Sequence, residues 1–298
     1  MFEGLSVAMV TPFRGGEIDL EAVEQHVEFM IEGGVESLVV SGSTGEAATC
    51  TVEERRTLWA FVRDRVKRRI PVIAGTGTNA TADSIALTAM AEELGLDGAM
   101  VVTPYYNKPT PKGQIAHFTA IAASTKLPIV LYNVPGRTAT NTLPDTFEQV
   151  AGVANLVAIK EASGSLDQVS ALVARTRFTV LCGDDSLTVP MIAVGARGVI
   201  SVVGNVAPRE MRLLTDHARA GRMAEAAAAH AQLLPLFKAL FVESNPAPAK
   251  FLLSAMRLMA NELRLPLVPV EPASELTILA AARAIGMSLG VPVATAHG

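Results

Sequence analysis

Short runs of β-branched and apolar residues recur along this chain, and a helical pattern follows each one. The runs fall near 5–11, 36–40, 71–75, 98–103, 128–133, 156–160, 178–182 and 197–203. Between and after them, 19–33, 51–68, 80–95, 112–125, 144–151, 166–176, 186–195 and 207–220 read as helices. Strict strand–helix alternation implies a parallel sheet, and strands apolar on both faces imply a sheet covered on both sides. Eight such units predict an α/β chain folded as a (β/α)8 TIM barrel. A doubly wound open sheet is the alternative. It usually opens on a Gly-rich dinucleotide turn, and Thr11-Pro12-Phe13-Arg14-Gly15-Gly16 is not one.

Local signals set the boundaries. Thr51 with Glu54 and Ser165 with Gln168 have capping-box spacing. Gly33-Gly34, Gly95 and Gly195 stand where helices should stop. Beyond the eighth unit the pattern is helical only, at 223–243, 246–261 and 273–288, with Asn245-Pro246 read as cap and first helical residue. The expected division is a catalytic barrel over 1–222 and a helical extension over 223–298. Leu233, Leu236, Phe237 and Leu240 form the apolar face of its first helix.

Composition narrows the function. The chain has 298 residues, a formal net charge of −4, and basic residues dense only at Arg63-Asp64-Arg65-Val66-Lys67-Arg68-Arg69. That run closes a helix, where cations suit the dipole, so it argues against nucleic-acid binding. The two cysteines, Cys50 and Cys182, lie far apart and fit a reducing, cytoplasmic setting. The N-terminus Met1-Phe2-Glu3-Gly4 lacks a basic region, so no signal peptide is expected, and the apolar stretch 226–242 is broken by His230, Gln232, Pro235 and Lys238, which argues against a membrane span.

Active sites of barrels form where strands end. The second strand ends in Ser41-Gly42-Ser43-Thr44-Gly45-Glu46, a turn whose hydroxyls and amides could hold a carboxylate or simply turn the chain. The fourth ends in Thr103-Pro104-Tyr105-Tyr106-Asn107, and the fifth in Tyr132-Asn133-Val134-Pro135-Gly136-Arg137. All three tyrosines of the chain thus stand at strand ends, beside an arginine suited to bidentate carboxylate binding. The sixth strand, Leu156-Val157-Ala158-Ile159-Lys160, carries a lysine into apolar surroundings. An ordinary lysine titrates near ~10.4, and desolvation lowers that value toward the range of Schiff-base lysines. A packed stem with its head in water, or paired with Glu161, is the other reading of Lys160. The seventh strand ends in Gly183-Asp184-Asp185. Those carboxylates could suggest a metal, but no histidine accompanies them at ligand spacing and helix capping is commoner, so no metal is expected.

The segments GSTGE at 42–46, GTGTNAT at 75–81, TPYYNKP at 103–109, YNVPGRT at 132–138, IKEASG at 159–164, CGDD at 182–185 and GVISVVGNV at 198–206 resemble the dihydrodipicolinate synthase family of pyruvate-dependent class I aldolases and lyases. The resemblance runs from Ala8 to the segment ending at Lys250. It implies that Lys160 forms an imine with pyruvate and that Tyr132 moves protons. Ser43 would link Tyr132 to a Tyr106 supplied by a neighbouring subunit. It further implies that Thr44, Gly183 and the backbone at Ile200 hold pyruvate, and that Arg137 receives the carboxylate of aspartate β-semialdehyde. A homotetramer, built as a dimer of dimers, is implied, and no cofactor. The family more often has threonine at Ser43. A feedback site for lysine would map to Ala47, Ala48, Val52, Arg55, Asn79, Asp83 and Tyr105. An arginine at position 55 repels a cationic effector, so weak or absent inhibition is expected. The competing functions are a sister lyase acting on sialic or sugar acids, a non-catalytic sensor, and a metal-dependent aldolase.

Overall fold

Each of the predicted apolar runs is a strand buried along nearly its whole length, on both faces. Such strands must be covered on both sides, and a ring satisfies this without leaving an open sheet edge. In the computed structural model, which describes residues 2–290, they form a closed, parallel eight-stranded barrel. The strands are Gly4–Ala8, Ser37–Val40, Val72–Gly75, Gly98–Val102, Ile129–Asn133, Leu156–Glu161, Thr179–Cys182 and Gly198–Ser201. Neighbours in sequence are neighbours in the ring, and the last strand closes on the first, with Ser6 opposite Ile200.

The barrel interior is filled by Ala8, Val39, Ile73, Met100, Val130, Ala158, Leu181 and Ile200, with Phe2 and Tyr132. Because side chains alternate along a strand, Tyr132 and Lys160 share the inward side with Val130 and Ala158, two residues nearer the C-terminal rim. Their juxtaposition depends on a register shift. Ile129 faces Leu156, but Val130 already faces Ala158, so one residue is taken up in between. The bulge advances the sixth strand by one residue and sets Tyr132 directly opposite Lys160.

Helix termini follow the local chemistry, with exceptions that matter for the site. Thr51 and Glu54 form the reciprocal box, and Thr110 caps a helix that opens on Pro111. Ser165 accepts from the Gln168 amide, but the Gln168 side chain does not return to it. That side chain binds Glu161 and Asn141 instead, so only half of the predicted box exists. Asn245 is not a cap either: the helix runs Ala247–Ala255, and the Asn245 side chain reaches Thr44. Sequence reading also passed over a two-stranded hairpin, Phe13–Arg14 with Glu17–Ile18, and a one-turn helix, Pro135–Thr138.

The C-terminal helices are Met223–Ala239, Ala247–Ala255 and Pro272–Ala284, each ending earlier than its pattern suggested. Leu233, Leu236, Phe237 and Leu240 are buried as expected. Positions 291–298 of the expected extension lie outside the described residues. No helix among the described residues is long and apolar enough to cross a membrane.

Candidate active site

Lys160 is 4% exposed and inward-facing, and its Nζ lies 4.3 Å from the centroid of the Tyr132 ring. Burial pushes its pKa down to about 8, against a smaller upward pull from Asp185, and Arg137 lowers it further. At neutral pH this raises the uncharged fraction from roughly one in a few thousand to roughly one in ten. Glu161, the alternative partner of Lys160, is taken up elsewhere. It accepts from the Ser163 amide at 2.7 Å, from Gln168 Nε2 at 3.0 Å and from Asn133 Nδ2 at 3.1 Å. Gly183 passes so close that a side chain there would meet the Ala162 methyl at 2.7 Å and Lys160 Cε at 3.2 Å. Only glycine leaves room for the lysine stem.

Tyr132 is buried, and burial raises its phenol to about 12, partly offset by Arg137. The phenol therefore holds its proton at neutral pH and is available as an acid. Above it opens a cavity of about 380 Å³ lined by Ser43, Met100, Tyr132, Arg137, Asn245 and others. Arg137 stands exposed at the mouth, on the short Pro135–Thr138 helix. Thr44 is buried and its Oγ1 accepts from Asn245 Nδ2 at 2.9 Å, which leaves the hydroxyl proton free to donate. Ile200 is buried in the barrel wall.

The paired aspartates divide their work. Asp184 caps the turn that follows it, accepting from the Ser186 amide at 3.0 Å. Asp185 is buried and accepts from the amides of Val202 and Val203 at 2.9 and 3.0 Å and from Ser201 Oγ, fixing the turn after the Ile200 strand. Sequence reading did not foresee that role, because its donors lie on the next strand end and no local pattern encodes them. Glu46 and Lys250 were also passed over. Lys250 was legible as a charge inside the apolar run Ala247-Pro248-Ala249-Lys250-Phe251-Leu252-Leu253.

The single chain does not bring every predicted residue together. Tyr106 is 89% exposed, outside the cavity lining, and sits at φ +71°. A bulky residue with positive φ is strained and signals a constraint on where its ring must point. Of the expected effector residues, Ala47, Ala48, Arg55 and Tyr105 line the same cavity. Asn79 offers its carbonyl to Asn107 Nδ2, whereas Asp83 and Val52 are exposed.

The model of the Dihydrodipicolinate synthetase family matches residues 1–285. The chain belongs to that family. A 4-hydroxy-tetrahydrodipicolinate synthase of Geobacter metallireducens is 48% identical over 277 residues, spanning 92% of this chain and 96% of that relative. The crystal structure of dihydrodipicolinate synthase from Aquifex aeolicus superposes with a TM-score of 0.93 at 44% identity, covering 95% of this chain and 97% of that one. A chloride-inhibited dihydrodipicolinate synthase of Acinetobacter baumannii, complexed with pyruvate, superposes at 0.94 with 39% identity over 96% and 99% of the two chains. Within the family fold, this chain sets a desolvated lysine against a protonated phenol that lines, together with a guanidinium, one cavity.

Proposed function

We propose that this chain is a lyase that condenses pyruvate with L-aspartate 4-semialdehyde to 4-hydroxy-tetrahydrodipicolinate through a Schiff base on Lys160. The observation that carries the reading is Lys160 itself: buried, unclaimed by Glu161, and lowered to about 8 beside a protonated tyrosine. The relatives named for this activity and the related enzyme complexed with pyruvate support it.

In this mechanism the neutral Nζ attacks the C2 carbonyl of pyruvate. Tyr132 protonates the oxygen, water leaves, and an imine remains. Loss of a methyl proton gives the enamine, whose carbon attacks the aldehyde as Tyr132 protonates the new hydroxyl. The amino group of the second substrate then attacks the imine carbon, closes the ring and frees Lys160. The sum consumes pyruvate and the semialdehyde and yields the heterocycle and one water. Thr44, Gly183 and the Ile200 backbone hold the pyruvate carboxylate region, and Arg137 at the mouth receives the second carboxylate. The exposed, strained Tyr106 completes the Tyr132–Ser43 proton relay of a second copy, so the working unit is an oligomer, a dimer of dimers in this reading. The barrel carries the chemistry, and the helices from Met223 to Ala284 form the extension.

Borohydride reduction in the presence of pyruvate, followed by peptide mapping, should mark Lys160 alone. An unlabelled protein, or a label elsewhere, refutes the mechanism. Turnover with sialic or sugar acids but not with aspartate semialdehyde would move the chain to the sister lyases.

A further inference from the structure

The loop at 41–46 holds two non-glycine residues in the left-handed region, Ser41 at φ +56° and Glu46 at φ +51°. Such conformations persist only where the surroundings overdetermine them. Trp59 Nε1 donates to Ser41 Oγ at 2.9 Å, and Thr11 Oγ1 to the Gly45 carbonyl at 2.7 Å. Further ties come from the helix Ala247–Ala255 and the segments on either side of it. Asn245 Nδ2 reaches Thr44, Lys250 Nζ bonds Glu46 Oε1 at 2.6 Å, and the Arg264 amide donates to Glu46 Oε2 at 3.1 Å. Lys250 also donates to the Thr11 carbonyl at 2.9 Å and lies 4.4 Å from the centroid of the Phe13 ring. Neither side chain of the Glu46–Lys250 pair has any exposed surface.

A buried ion pair gains little stability over apolar residues of the same volume, so its presence here asks for another account. What it supplies is direction. A carboxylate bonded at both oxygens and an ammonium bonded to two acceptors restrict the loop to one position relative to the helix that carries Lys250. We propose that Glu46 and Lys250 are positioning residues that set the placement of Ser43 and Thr44, and hence the affinity of the site for its 2-oxo acid. Residues far along the chain from the barrel rim thereby control the first substrate, while Arg137, on a different strand end, governs the second. The inference rests on the Schiff-base reading above.

The test uses the full-length enzyme with Lys250→Met, Glu46→Ala and the near-isosteric Glu46→Gln. Lys250→Met and Glu46→Ala should raise the KM for pyruvate about tenfold or more while the KM for the aldehyde stays within about twofold, because small displacements of orienting groups are costly. Glu46→Gln, which keeps an acceptor for Lys250, should fall between them and wild type. Borohydride should still label Lys160 at saturating pyruvate. If wild type is not labelled, the Schiff-base reading fails and this inference with it. If wild type is labelled but the folded variants keep its pyruvate KM, or both KM values rise together, or only the melting temperature falls, the positioning role alone is overturned. Should Lys250→Met and Glu46→Ala fail to fold, Glu46→Gln decides: an unchanged pyruvate KM overturns the proposal.

Discussion

Two lysines are buried in this molecule, and almost everything about them matches except their company. Lys160 is 4% exposed and Lys250 0%, each has its Nζ over an aromatic ring, and burial pushes both pKa values down. Lys250, however, is held by Glu46 and the Thr11 carbonyl, and Glu46 draws its pKa back upward. Lys160 takes part in no ion pair among the described residues. The carboxylate that acts on it, Asp185, is already satisfied by Ser201, Val202 and Val203. Burial alone therefore does not make a nucleophile. An ammonium that is buried and paired becomes a strut, and one that is buried and unpaired gives up its proton more readily.

The comparison can be broken by exchanging the two fates. The largest expected effect is on turnover: Lys160→Ala should abolish both activity and reductive labelling by pyruvate, whereas Lys250→Met should leave Lys160 labelled. Labelling that survives loss of Lys160 would dissolve the distinction. Next, Tyr132→Phe should slow turnover by about 10²–10⁴-fold while retaining the label, since it removes the proton donor and not the amine.

Stability should respond with opposite signs. Lys250→Met strands the buried Glu46 carboxylate and should cost about 3–5 kcal/mol in denaturant unfolding. Lys160→Met should stabilise the protein at pH 7, by an amount on the order of 3 kcal/mol, because the native state holds that amine at about 8 whereas the unfolded chain holds it near 10.5. The sign follows from proton counting: between those values the unfolded state binds more protons, so wild-type stability recovers as pH rises. The advantage of Lys160→Met should be constant below about 8 and vanish as pH climbs through 10.5. An advantage that grows with pH would contradict the assigned shift. For the same reason the rate of imine formation should rise with pH and level off above about 8. The smallest effect concerns the stretch of cavity wall where Arg55 stands beside Ala47 and Tyr105. There L-lysine should inhibit weakly or not at all, and inhibition in the low micromolar range would show that the repulsion from Arg55 is overcome.

Much of this was legible in the chain. Strand positions followed from apolar runs too short for helices, and the ends of those runs named Lys160, Tyr132, Ser43 and Arg137, because a barrel presents its strand ends on one rim. Ser165 caps its helix as expected, but Gln168 and Asn245 were misread for a common reason. Both have the right chemistry for a helix terminus, yet they found tertiary partners in Glu161 and Thr44, which no local pattern encodes. Tyr106 was singled out at a strand end, and a single chain leaves it facing outward.

Periodicity and composition by themselves determined that this protein would be a ring of covered parallel strands, because alternation and burial are local properties that any stretch of sequence displays. Only the tertiary structure decided which lysine would be free. The bulge between the fifth and sixth strands that turns Lys160 to face Tyr132, and the reach of Lys250 across more than half the chain to Glu46, are matters of register and of contact between distant segments. Whether a buried charge keeps or loses its proton depends on neighbours that only the folded chain brings together.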